Sequence, residues 1–192
     1  MQNIAFSRWF YHFQHEAKVL KERRLIILDG EDNWTHSLLR TINSFDQAEN
    51  STNKKSWLIY GDSELIKANV SRQRFRDKLG TESDFVVFTQ PPVVVDALAA
   101  LSGTLVSGGI LFLLINDMTS VKKSHFFNRF LALLQGYSQH VILKQTAFEL
   151  PLLRPINQAS DKQNMELVTD SISSSDLQVL SYDCVTQEQL AA

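Results

Sequence analysis

The sequence holds a single cysteine, Cys184, so no disulfide can close within it and no cysteine pair has the spacing of a zinc site. Disulfide scaffolds and zinc fingers are excluded, and the cysteine usage fits a reducing compartment. No basic residue stands beside Cys184 to lower its pKa, which argues against a thiolate nucleophile. Glycine and proline are scarce, 7 and 4 residues, and neither builds a repeat or a low-complexity tract. No apolar run approaches the ~20 residues that span a bilayer. The opening MQNIAFSRWFYHF is polar and aromatic rather than a basic stub before an apolar core, unlike a secretory signal. Together these predict a cytoplasmic protein with no membrane partner. A formal net charge of −2 gives no overall attraction for nucleic acid, so such binding needs a local patch.

What is present is ordinary for a globular domain, 44% hydrophobic and 21% charged over 192 residues. That length suffices for one α/β domain burying roughly 70% of its unfolded surface. Phe6, Phe10, Phe13, Ala17 and Leu20 recur at helical spacing and make one apolar stripe. Arg24 to Leu28 reads as a strand ended by Asp29-Gly30. Asp32 or Asn33 would cap the next helix, with Trp34, Leu38, Leu39 and Ile42 inward. Gln47 to Lys55 is polar and reads as a loop before a strand at Trp57 to Tyr60. Arg72, Arg74, Phe75, Arg76 and Lys78 fall on a short helix closed by Gly80, and Phe85 to Phe88 is a strand.

Pro91-Pro92 would start a helix from Val93 to Val106, because proline is tolerated in a first turn. Gly108 and Gly109 can adopt the positive φ of its C-cap, and Ile110 to Ile115 is unbroken apolar sequence. A strand apolar at every position is covered on both faces, as in a parallel sheet. A helix from Ser124 to Leu134, stopped by Gly136, precedes a strand at His140 to Leu143. The alternation predicts an α/β fold: a Rossmann-like, doubly wound, mostly parallel five-stranded sheet with helices on both faces.

Residues 1–150 form this predicted domain, and residues 151–192 a C-terminal extension or linker. Within the extension, Gln158 to Asn164 reads as a loop, with short strands around Leu177 to Leu180. Thr186-Gln187-Glu188-Gln189 matches a capping box, yet only Leu190, Ala191 and Ala192 follow it. The expectation is a fragment cut just inside its next element, since a single helical turn does not persist.

Chemistry is sparse. The turn Asp29-Gly30-Glu31-Asp32-Asn33 sits where a doubly wound fold holds phosphate, but it has one glycine and three acids. Those acids could hold a cation or a ribose hydroxyl, or simply favour a helix start. No G-x-x-x-x-G-K-[ST], H-E-x-x-H or G-x-S-x-G occurs. His12 and His15 are spaced i, i+3 without further ligands. Ser102-Gly103-Thr104 and Ser107-Gly108-Gly109 resemble the glycine-containing lead into a late methyltransferase strand, or serve as helix caps. Two basic groups, Lys18 with Lys21, Arg23 and Arg24, and Arg72 with Arg74, Arg76 and Lys78, read either as phosphate contacts or as solvated helix faces.

The run from Arg24 through Leu-Ile-Ile-Leu-Asp-Gly-Glu-Asp-Asn to Trp34, with Ala99-Ala-Leu-Ser-Gly-Thr-Leu105 ahead of an apolar strand, resembles the N-terminal domain of bacterial tRNA(Met) cytidine acetyltransferases. The likeness runs from about residue 20 to residue 150. It implies a parent in which this module adjoins a helicase-type ATPase, a GNAT-type acetyltransferase domain and an RNA-binding part. That parent acetylates N4 of a wobble cytidine in tRNA, using ATP and acetyl-CoA. No catalytic, cofactor-binding or metal residue carries over, so this chain is expected to hold no cofactor itself.

The implied role is a non-catalytic accessory domain whose partners are the remaining domains of the same polypeptide and tRNA, the latter through Arg72, Arg74, Arg76 and Lys78. The alternative is a stand-alone small-molecule enzyme such as a degenerate methyltransferase. The two differ at Gly30, where an enzyme would bind a nucleotide-like ligand.

Overall fold

The computed structural model describes residues 2–48, 55–61, 65–89 and 94–153, with the side chains of 43–48 excepted. Helix α1 (Gln2–Val19) is followed by β1 (Arg24–Asp29), α2 (Asp32–Ala48), β2 (Trp57–Tyr60), a 3-10 turn (Phe75–Lys78) and β3 (Ser83–Phe88). Then come α3 (Val95–Ser102), β4 (Leu105–Ile115), α4 (Met118–Lys122), α5 (His125–Leu134) and β5 (Val141–Lys144). All strand pairs are parallel, in the order β2-β3-β4-β1-β5.

Alternating residues of each inner strand feed two separate cores. Ile26, Leu28, Phe85, Phe112 and Leu114 pack with Phe6, Phe10 and Phe13 of α1 and Leu38, Leu39 and Ile42 of α2. Ile27, Val86, Phe88, Leu111 and Leu113 pack on the opposite face with Leu98 and Leu101 of α3, Val121 of α4 and Phe127 and Leu131 of α5. The crossover from β1 to β2 runs one way on the first face. Those from β3 to β4 and from β4 to β5 run the other way on the second, as right-handed connections require. The fold class read from the sequence is therefore present.

Several boundaries differ from the sequence reading. The third helix ends at Ser102 rather than Val106, and Gly108 and Gly109 lie inside β4 instead of capping a helix. The register with β3 passes from Ser83↔Leu105 to Phe85↔Ile110, so β4 bulges over its glycines. Gly108 has φ 80°, and a Cβ there would lie 2.8 Å from the Lys18 Cα. Its N–H donates to Glu22 O at 3.0 Å, which ties the bulge to the end of α1.

Helix α2 begins at Asp32, and its first amide bonds, from Trp34 and Thr35, go to Glu31 O, so neither Asp32 nor Asn33 is the cap. It also runs to Ala48, into the expected loop. Leu20 lies past the end of α1 and is only half-buried. The expected helix around Arg72 to Lys78 is a single 3-10 turn held down by buried Phe75. Helix α4, unforeseen, starts because Asp117 Oδ1 accepts the amides of Thr119 and Ser120 at 3.0 and 3.2 Å. The features expected at Pro91-Pro92, Gln158 to Asn164, Leu177 to Leu180, Cys184 and Thr186 lie outside the described residues.

Arg24, assigned to a basic surface group by sequence, is buried. Its guanidinium bonds Glu16 at 3.0 Å and Glu22 at 2.8 Å and lies 4.8 Å from the Phe13 ring centroid. The basic group at the end of α1 thus loses its strongest member to an internal ion network.

Candidate functional site

The direction of travel across the sheet reverses between β4 and β1, and ligands of doubly wound folds bind outside the strand ends at that point. Here the β1 end carries Asp29, Gly30 and Glu31, the β4 end Ile115 and Asp117. In a dinucleotide site the first amides of the following helix face phosphate. In this chain two amides of the turn just before α2 are engaged: Gly30 N–H donates to Ile115 O at 2.9 Å, and Glu31 N–H to Gln145 Oε1 at 2.7 Å. Gln145 is held in turn by its own N–H, which donates to Asp29 O at 2.9 Å. A Cβ on Gly30 would meet Gln145 Cβ, Gln145 Oε1 and Trp34 Cε3, all at 2.7 Å. Gln145 and Trp34 therefore crowd the backbone at Gly30.

Charged groups ring the closed turn. Burial pushes the Asp29 carboxyl above its usual value, Lys144 and Lys122 pull it down, and Asp117 adds to the rise. Asp117 is held below the usual range by the Thr119 hydroxyl and the Ser120 amide, so its carboxylate serves the start of α4. Among the described residues no group of histidine, cysteine, aspartate and glutamate is placed to hold a metal. His12 and His15 are both exposed on α1.

A cavity of about 370 Å³ opens on the outer side of α2, lined by Asn33, His36, Ser37, Arg40, Thr41 and Leu65. Burial lowers the pKa of His36 there. Arg40 donates to Leu65 O at 3.0 Å and so supports the cavity wall.

Of the sequence-predicted nucleic-acid residues, Arg72 and Arg74 precede the 3-10 turn, and Arg76 and Lys78 lie on it. Arg74 pairs with Asp77 at 2.8 Å, and Arg76 lies 3.9 Å from Asp96 and over the Phe75 ring. The four share one short segment, with part of their charge already answered. Sequence reasoning missed Gln145 and Asp117. Asp117 was findable as an Asx cap before a short helix. Gln145 was not, because its partner is Glu31, far away in the chain.

These features define a doubly wound parallel α/β domain whose turn after β1 is crowded by its own side chains. The family model for the N-terminal part of tRNA(Met) cytidine acetyltransferase TmcA matches residues 1–145, and the chain belongs to that family. It is 32% identical over 109 residues to the tRNA(Met) cytidine acetyltransferase TmcA of Pectobacterium atrosepticum. That alignment covers 56% of this chain and 15% of the relative's length. Among the described residues no helix is long and apolar enough to cross a membrane.

Proposed function

We propose that this chain is a non-catalytic accessory domain of a cytoplasmic tRNA(Met) wobble-cytidine N4-acetyltransferase, packing on the helicase-type ATPase module and helping to hold tRNA. The observation that carries this reading is the crowded turn: Gln145 and Trp34 occupy the space over Gly30, and the turn amides of Gly30 and Glu31 are bonded within the protein. The same observation disfavours the small-molecule enzyme, which needs that space for its cofactor. ATP and acetyl-CoA belong to other parts of the parent. The turn bearing Arg72, Arg74, Arg76 and Lys78 offers tRNA a secondary contact.

The test is thermal unfolding of this chain with ATP, acetyl-CoA or S-adenosylmethionine. No shift is expected; a ligand at 100 times its Kd would add about 2.7 kcal/mol and overturn the reading. In the parent enzyme, deleting the domain is expected to raise the KM for tRNA without changing the KM for acetyl-CoA.

A further inference from the structure

From Met118 to Phe148 the chain has no aspartate or glutamate, although acids outnumber bases overall, 21 to 19. This stretch carries Lys122, Lys123, Arg129 and Lys144 and builds α4, α5 and β5, all at one end of the sheet. Among the described residues none of the four makes a salt bridge, unlike Arg74 and Arg76. Asp29 and Asp117 are the acids that feel them, through Lys122, Lys144 and Lys123, and both lie at the strand ends. Arg129 stands clear of both, and the balance over this surface stays positive.

Aromatic rings are interleaved with the charge. Phe126, Arg129, Phe130 and Leu133 fall at i, i+3, i+4 and i+7, which places them on one flank of α5, and Tyr137 continues the line just beyond its end. Phe127 and Leu131 anchor the helix in the core. Phe126 is 39% exposed, Leu133 57% and Tyr137 54%. The ring of Phe126 is nearly parallel to that of Phe130, 12° apart with centroids at 5.9 Å, and meets Phe127 edge-on at 5.4 Å, so it is held in place by both neighbours. Exposed rings fixed in place beside unpaired cations form a surface on which bases stack while lysine and arginine neutralise phosphates.

We propose that the α4–α5 surface, with Phe126 and Tyr137 as stacking rings and Lys122, Lys123 and Arg129 as phosphate contacts, binds an unpaired segment of RNA. The proposal rests on the accessory-domain reading and names the surface that would hold the tRNA.

The test uses the full-length parent protein and tRNA(Met), with Kd measured across a salt series. The charge-reversal variant K122E/K123E/R129E is expected to bind at least tenfold more weakly. Its salt slope should be shallower by about 0.7 per lost contact. F126A/Y137A is expected to lose about fivefold or more with the slope unchanged. K122R/K123R/R129K should bind like the wild type. Hydrogen exchange on the unmutated protein supplies a readout independent of any folding defect: amides of α4 and α5 should slow only when RNA is added.

Binding by both disruptive variants at the wild-type Kd and slope would overturn this surface and leave the accessory-domain reading standing. Wild-type protein that does not bind tRNA(Met) at all would overturn both. Amides of α5 already protected in the full-length protein without RNA, and unchanged by it, would mark the flank as a contact between domains and overturn the proposal.

Discussion

Gln145 Oε1 accepts the N–H of Glu31 at 2.7 Å, so a residue just after the last strand closes the turn after the first. The bond satisfies an amide of the turn before α2 that would otherwise face solvent. It also fixes Gln145 over Gly30, where a side chain larger than hydrogen has no room.

Gly30→Ala is expected to destabilise the domain by about 1–3 kcal/mol, because its Cβ meets Gln145 and Trp34. Gln145→Ala alone should cost about 1 kcal/mol for the lost bond. In a double-mutant cycle by urea unfolding, Gln145→Gly, which also removes the obstructing Cβ, should recover part of the Gly30→Ala loss. Strict additivity would show that the two do not share that space.

Gly108→Ala should cost about 1–3 kcal/mol through its positive φ alone, with further loss from crowding against Lys18. Because the obstructing atoms include the Lys18 Cα, adding Lys18→Ala is expected to give little relief. Chemical denaturation of the single and double variants checks this.

Arg24→Ala leaves the buried carboxylate of Glu16 without its partner, and a loss of about 3–5 kcal/mol is expected. Arg24→Met combined with Glu16→Leu should be far milder, since it removes both charges. A double variant as unstable as Arg24→Ala would count against this account.

His140 Nδ1 accepts the Leu25 N–H at 3.1 Å, and a proton on that nitrogen would break the bond. Burial holds the His140 pKa below its ordinary 6.5, with Glu22 raising it and Arg24 lowering it; burial also lowers His36. The unfolded chain therefore binds more protons just below pH 6.5, so stability is full above that value and falls as pH drops toward the depressed folded pKa. Thermal midpoints should decline from pH 7 to pH 5. His140→Asn, which keeps an acceptor without titrating, should flatten part of that decline.

Reversal of Arg72, Arg74 and Arg76 to glutamate in the parent protein is expected to weaken tRNA binding less than reversal on α4 and α5. Asp77 and Asp96 already offset two of those cations. Salt-slope measurements on both variants compare the surfaces directly.

The parallel sheet was legible because residues 25–28 of β1 and 110–115 of β4 are apolar at every position, and only a strand covered on both faces can be so. β2 and β5 were found from short apolar runs although they are only partly covered, and β4 begins at Leu105 rather than Ile110. The helix-to-strand junction at Ser102 to Gly109 was misread because a glycine pair serves a helix cap and a bulge equally well. Local sequence cannot say which neighbour, here Lys18 or Glu22, approaches it. The site was least legible. A glycine after a first strand is compatible with an open crevice or a closed one, and the difference lies in Gln145, set there by the pairing of β5 with β1. The same holds for Arg24, whose charge reads as surface until α1 folds Glu16 and Phe13 over it. Periodicity and composition determined which segments are buried and therefore the layers of the fold. Which side chains meet across the strand ends was decided only by tertiary packing, because those contacts join residues that carry no local signal of each other.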